Sequence, residues 1–217
     1  MDFFAVATTT PTVRHFSDRP VDDHLLARVL ETANMAPSGS NAQPWEFVIV
    51  RAAQSRRAIQ RLYEEVWGPY KETAIIRGRT TLSARALKAL RVGDEFAAQL
   101  SIVPIHILVF LDRPKMRVER GSPEDLTNFG ATYGSIFPAI ELLMLSARAA
   151  GLGTAMTTML SSRESETKAL LGVPDQYQLI TLIPLGYPAD GFKRPYRKPV
   201  WPRLHSERWE RPYPKPR

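Results

Sequence analysis

The sequence predicts an α+β sandwich, and three observations carry that prediction. The run VPIHILVFL, Val103 to Leu111, is almost continuously apolar and rich in β-branched residues, the pattern of a strand covered on both faces. A second apolar run, QLITLIPL from Gln178 to Leu185, reads as another strand. Between them Ala131 to Ala150 places Ile136, Ile140, Leu143, Met144 and Ala147 along one side, with apolar neighbours on others, so a central, buried helix is expected. Helical and strand patterns alternate along the chain in mixed order, which is the signature of an α+β arrangement.

The elements follow in order. Asp22 caps a helix over 23–35, where Leu25, Leu26, Val29, Leu30 and Ala33 recur at helical spacing, and Pro37 stops it. The stretch APSGSNAQPWEFVIV (36–50) then gathers Pro, Ser, Gly, Asn and Gln before a strand from Glu46 to Arg51. A turn is the commoner origin of such a loop. A ligand cradle is the alternative, because Gly39 lets backbone approach a bound molecule while Ser38, Ser40, Asn41 and Gln43 supply donors and acceptors. Residues 52–66 form a second amphipathic helix with Ile59, Leu62 and Tyr63. The basic segment from Trp67 to about Arg91 is irregular in pattern and reads as a surface excursion, helical or not, rather than core, and as the region that selects substrate.

His106, inside the first apolar run, is expected to be a hydrogen-bonded core residue, because the four histidines show no paired metal-ligand spacing. GLGTAMTTML (151–160) ends the long helix and starts a strand. Its Gly-Leu-Gly lacks the preceding strand, following helix and third glycine of a dinucleotide fingerprint. Ser161 with Glu164 resembles a capping box that opens a helix to Leu171. From Asp190 onward Pro195, Pro199, Pro202, Pro212, Pro214 and Pro216 forbid a regular helix, yet Trp201 and Trp209 are costly to leave in water. A tail that lies across a partner subunit is expected.

The chain has 217 residues, 44% of them hydrophobic, which suits one domain over 1–217 with 190–217 as a basic, Pro-rich tail. It contains no cysteine, so disulfides, thiolate nucleophiles and cysteine-bound metals are excluded and redox chemistry must come from a cofactor. The net charge is +7, concentrated in 51–91 and 191–217. Basic stretches with Trp201, Trp209 and Tyr213 make nucleic acid a rival partner, but no nucleic-acid motif accompanies them and that reading is disfavoured. The start, MDFFAVATTT, has neither a basic leader nor a long apolar run, so a cytoplasmic protein without a membrane partner is expected.

In combination, TVRHF near the start, APSGSNAQPW before a strand, GLGTAM after a long helix, and LGVPDQYQLITLIPLGYPAD before a basic Arg-Lys-Pro resemble the FMN-dependent nitroreductase family in the same order, over roughly residues 8–200. The resemblance favours the cradle over the turn. It implies a three-layer sandwich with a mixed central sheet flanked by helices and an extended C-terminal tail. It also implies a homodimer with FMN in clefts at the subunit interface, hydride from NADH or NADPH, and a nitroaromatic, quinone or similar flat small-molecule acceptor. No catalytic acid or base is needed, since the flavin carries the hydride and the protein supplies binding and electrostatics.

Residue by residue, the resemblance assigns Pro37, Ser38, Gly39, Asn41 and Gln43 to the flavin ring and ribityl chain, and Arg14 to the ring edge that becomes anionic on reduction. It assigns Met156, Thr157, Thr158 and Met159 to the neighbourhood of N5, and Arg197 with Lys198 to the phosphate. The family begins its first motif with Arg-Arg-Ser or Arg-His-Ser, whereas this chain has Thr10-Pro11-Thr12. Thr12 keeps the hydroxyl, and cations within Lys193 to Lys198 are expected to replace the missing arginine. Other chemistries compatible with the same scaffold are a specialised flavin-dependent dehydrogenase, a dehalogenase or a flavin-consuming enzyme. A basic binding protein without flavin chemistry is the reading from a different class.

Overall fold

A computed structural model of the chain describes residues 2–77, 83–116 and 125–215. Helix α1 (Phe3–Thr8) is opened by Asp2, whose carboxylate accepts from the Ala5 amide, and α2 (Asp23–Ala33) by Asp22, whose Oδ1 accepts from the Leu25 amide at 3.0 Å. After the polar loop comes β1 (Trp45–Val50). Helix α3 (Ala53–Arg77) continues through Pro69, well past the expected end at residue 66, and α4 (Ala84–Gln99) follows from a Ser83 cap. The basic segment, for which a helical excursion is one of the expected forms, is helical apart from the part that falls outside the described residues. Its order comes from tertiary packing: Tyr63, Trp67 and Tyr70 recur at i, i+4 and i+7, and the Trp67 ring fills the notch left by Gly93 of α4, where an added Cβ would stand 2.3 Å from it.

Strand β2 (Ile105–Asp112) and the short α5 (Arg113–Met116) precede the long α6 (Asp125–Ala149), which begins a turn or more before the predicted start. β3 (Gly153–Thr154) is brief. Helix α7 (Glu164–Leu171) does not use the expected capping box. Ser161 lies inside a 3₁₀ turn over Met159–Arg163, the cap position is Arg163, and Glu164 accepts instead from the Leu179 amide at 3.3 Å. Gly172 ends α7 in the left-handed region (φ 67°), the usual glycine terminator. β4 (Tyr177–Gly186) is the last strand.

The strands lie in the order β1-β2-β4-β3, every neighbouring pair antiparallel. The parallel component expected of a mixed sheet is confined, among the described residues, to a single bridge between Thr12 and Thr154. β2 is buried along its whole length, as a centre strand covered on both faces must be. Its odd residues Ile105, Ile107, Val109 and Leu111 face α2 and α6, where they join Val29, Ile140 and Leu143. Its even residues Leu108 and Phe110 face Ile59 and Tyr63 of α3 and Phe96 of α4. Three layers result.

The β2–β4 register slips once: Val109 is opposite Thr181 but Phe110 is opposite Leu179. Ile180 is the extra residue of a bulge, and it turns to the α2/α6 core while both Leu179 and Leu182 reach the other face. His106 is buried, with Nε2 donating to the Leu100 carbonyl at 2.9 Å, in the core role expected of it.

The start of the tail is fixed to the body. The Ala189 amide donates to the His15 carbonyl, and the Arg148 guanidinium lies 3.8 Å from the centre of the Phe192 ring. Beyond a three-residue 3₁₀ turn at Trp201–Arg203 the tail folds on itself, with the Trp209 ring stacked 4.2 Å from His205 yet 80% exposed.

Candidate functional site: an edge cleft and a strained loop

The edge of the sheet at β3 is extended by the N-terminal segment, since the Val13 amide donates to the Thr154 carbonyl at 2.9 Å. Gly153 makes this close approach possible, because a Cβ there would lie 2.7 Å from the Val13 side chain. The pairing exposes Thr12 and Arg14 on one side of a cleft of about 770 Å³ and its neighbours. The cleft proper is lined by Thr10 and Thr12, by Glu141 and Met144 of α6, and by Arg194 and Arg197 of the tail. Arg197 donates only to the adjacent Tyr196 carbonyl, and neither arginine is paired with an acid among the described residues. The Thr10 hydroxyl already donates to the Val6 carbonyl at 2.7 Å, which leaves Thr12 and the two guanidinium groups as the cleft's donors for an anion, at the end away from the Glu141 carboxylate or in exchange with it. Lys193 lies apart, near Arg14 and His15 and 3.8 Å from Asp190, and Lys198 lines none of these cavities.

Beyond Thr12 and Met156 the cleft joins an aromatic cavity of about 290 Å³ whose wall includes Tyr63, Trp67, Tyr70 and Phe96. Burial pushes the Tyr63 phenol above its ordinary pKa, so it stays protonated, and its oxygen accepts from Thr157 Oγ1 at 3.4 Å. Thr157 itself is fixed to β4: its amide donates to the Leu182 carbonyl, and its carbonyl accepts from the Leu182 amide and from Thr181 Oγ1. The Thr157 amide is therefore already engaged with β4, while Met156, beside it, lines both the cleft and the cavity. Met159 lines the same cavity; Thr158 is exposed at the head of the following 3₁₀ turn. No group of three metal-ligating side chains occurs among the described residues.

The loop Pro37–Gln43 lies elsewhere. None of its residues lines the cleft or the aromatic cavity. It is anchored to α6 by the Gly39 amide, which donates to Ser135 Oγ at 3.0 Å, and closed by the Gln43 amide, which donates to Ser38 Oγ at 2.9 Å. Ser40, Asn41 and Gln43 all have positive φ, at 52°, 53° and 45°. Asn41 tolerates the left-handed region, but Ser40 and Gln43 each cost roughly 1–2 kcal/mol there, more than an ordinary turn demands. Pro37 and Asn41 are exposed.

The residues predicted to share one site thus fall into two groups in a single chain. Thr12, Arg14, Met156, Thr157, Met159 and Arg197 converge at the sheet edge. Pro37, Ser38, Gly39, Asn41 and Gln43 form a separate, strained projection. Sequence reasoning missed Ser135, which holds the loop, and the aromatic wall. The wall was present as the Tyr63-Trp67-Tyr70 spacing, whereas nothing in the sequence singled out Ser135.

An antiparallel sheet sandwiched by helices, with a cleft lined by two arginines and an aromatic annex at its edge, defines an α+β protein of one recognisable class. The chain belongs to the Nitroreductase family, whose model matches residues 8–187. It is 30% identical over 207 residues to the iodotyrosine deiodinase of Thermotoga neapolitana, covering 92% of each chain. It is 29% identical to the 5,6-dimethylbenzimidazole synthase of Rhodospirillum rubrum, covering 93% of this chain and 87% of that one. It also matches rat iodotyrosine deiodinase 1 at 27% identity, but spans only 63% of the length of that protein. Among solved structures, an iodotyrosine deiodinase bound to FMN and 3-iodo-L-tyrosine superposes with a TM-score of 0.70 at 25% identity, over 92% of this chain and 96% of that one.

Proposed function

We propose that the protein is an FMN-dependent oxidoreductase that takes hydride from NADH or NADPH and delivers two electrons to a flat acceptor such as a nitroaromatic or a quinone. The observation that carries this reading is the cleft in which Thr10 and Thr12 face Arg194 and Arg197. Its donors fit FMN: guanidinium groups for the phosphate, the Thr12 hydroxyl for the ribityl chain, and Arg14 at the junction with the aromatic cavity for the ring. The family's missing first arginine is replaced, on this reading, by Arg194 and Arg197 rather than by Lys193 or Lys198.

FMN, when bound, supplies a relay for two electrons between nicotinamide and acceptor. For a nitro compound the overall exchange is Ar–NO2 + NAD(P)H + H+ giving Ar–NO + NAD(P)+ + H2O. The chain's residues do the rest. Arg14 would offset the negative charge of the reduced ring, Met156 and Thr157 would stand beside the ring edge, and the aromatic wall would exclude water beside the acceptor. The loop group is supplied by a second copy of the chain, so the working site lies in a homodimer.

Dehalogenation is a second reading, because the Thermotoga relative is named a deiodinase. The same cleft suits both chemistries.

The test is flavin titration followed by fluorescence quenching, at fixed salt, and then turnover with both nicotinamides against nitro, quinone and iodophenol acceptors. Arg197→Ala is expected to weaken FMN by about ten- to a hundredfold, the worth of a charge-assisted bond of about 1.5–3 kcal/mol, and riboflavin much less. Equal losses for the two flavins would remove Arg197 from the phosphate. A purified protein that binds neither flavin would leave the basic binding protein as the reading.

A further inference from the structure

Helix α4 carries a charge pattern that hydride transfer does not require. Arg85, Lys88, Ala89 and Val92 recur at helical spacing and, with Arg14, line a cavity of about 250 Å³. This cavity shares Arg14 and Ala89 with the aromatic one, so the two are continuous around a single arginine.

The cations there are free. Among the described residues Arg14 and Lys88 have no acidic partner, and Arg85 meets only the Tyr196 ring at 5.9 Å. The acids that α4 could offer are already engaged. Asp94 Oδ1 accepts from Trp67 Nε1 at 2.8 Å and from Lys71 Nζ at 3.0 Å, which holds its carboxyl below the ordinary range. Glu95 lies 3.1 Å from His15 and 3.9 Å from Arg91. No acidic side chain lines either cavity. Three like charges around one hollow repel each other and focus a positive potential inside it, and a bound anion removes that cost.

We propose that the acceptor is an aromatic compound bearing an anionic group, with its ring against Tyr63, Trp67 and Phe96 and its anion, a carboxylate in the simplest case, at Arg85 and Lys88, Arg14 between them and the ring site being committed to the flavin. A cationic or neutral acceptor of the same shape binds less well, and an amino-acid zwitterion finds no acid for its ammonium group. This inference rests on the proposed oxidoreductase reading for what happens to the ring, but not for what the pocket binds.

The test uses the FMN-loaded protein and three para-substituted nitroarenes of similar shape: 4-nitrobenzoate, 4-nitrobenzamide and 4-nitrobenzylammonium. Binding is measured by calorimetry and turnover by NAD(P)H consumption. The expected order of affinity is the benzoate, then the benzamide, then the benzylammonium, with roughly tenfold between the extremes at low salt and a smaller ratio as salt rises. In the doubly reversed Arg85→Glu/Lys88→Glu protein the order of the two charged probes inverts. Equal affinities across the series in the unaltered protein overturn the proposal, and that result does not depend on how the variant folds. If the double variant changes KM for the nicotinamide but not for nitrobenzoate, the cations serve the dinucleotide phosphates and the proposal is again wrong. Charge-selective binding without turnover leaves the anion site standing and removes the oxidoreductase reading. Turnover without charge selectivity does the reverse.

Discussion

Burial of His106 beneath the α3/α4 layer has a cost that pH exposes. Its Nε2 donates to the Leu100 carbonyl, Nδ1 has no partner, and the Arg56 guanidinium is near, so burial first and that charge second lower its pKa from 6.5 to about 4. The unfolded chain accepts a proton on this ring that the folded chain refuses. The stability contribution is therefore full above about 6.5, falls as pH drops through that value, and levels off below about 4. The full loss is on the order of 3 kcal/mol. Urea unfolding at pH 7 and pH 5 checks this: His106→Gln, whatever its absolute stability, is expected to lose the part of the pH dependence in that window. A second residue-scale expectation concerns Arg14. Arg14→Ala at saturating FMN is expected to slow reduction by nicotinamide and to lower the flavin potential, both readable by rapid mixing and redox titration, because a cation beside the ring edge is gone.

At the scale of elements, the Ser38–Gln43 loop and the α3–α4 hairpin show what a sequence can and cannot reveal. The strand runs 103–111 and 178–185 and the helix after Asp22 were legible because burial pattern and capping are local signals. The length of α3 was not, since it depends on Trp67 meeting Gly93 twenty-six positions later, a contact between two helices. The site residues were legible by type but not by grouping. Nothing local tells that Gly39 hydrogen-bonds to Ser135 while Thr12 pairs with Thr154.

The loop's strain makes a direct prediction. Ser40 sits at φ 52°, a conformation costing roughly 1–2 kcal/mol for a side-chain-bearing residue and little for glycine, while glycine's extra chain entropy costs roughly 0.5–1. Ser40→Gly is thus expected to stabilise the fold by about 0.5–1 kcal/mol in chemical denaturation. Ser135→Ala acts in the opposite sense, releasing the Gly39 amide. It is expected to cost about 1 kcal/mol of stability and to weaken FMN binding if the loop serves the site.

For the whole molecule, the division of the predicted site between a cleft and a distant loop calls for a second copy. Phe3 and Phe4 of α1 are 66% and 77% exposed, and an apolar groove of about 660 Å³ runs between α2 and α6 past Leu25, Val29 and Leu142. An obligate dimer, with an interface that commonly exceeds about 2,000 Å², would cover such a surface. Light scattering is expected to give twice the 24.5 kDa chain mass at all practical dilutions. A monomer that holds flavin tightly would contradict the shared site. No helix among the described residues is long and apolar enough to cross a membrane.

The position of β2 between β1 and β4 also sets the order in which the chain can be finished. Val50 is opposite His106 and Ile105 is opposite Leu185, so the centre strand has no neighbour close to it in the chain. Loops this long delay closure, and a sheet made only of such pairings nucleates slowly. During synthesis β2 can meet β1 early, but its other edge stays open until β4 has left the ribosome. For that interval the most apolar strand of the protein presents unpaired amides and carbonyls, a template for the same strand of another nascent chain. Chains halted before Tyr177 are accordingly expected to aggregate or to be held by chaperones, while chains released after Gly186 close the edge and become soluble.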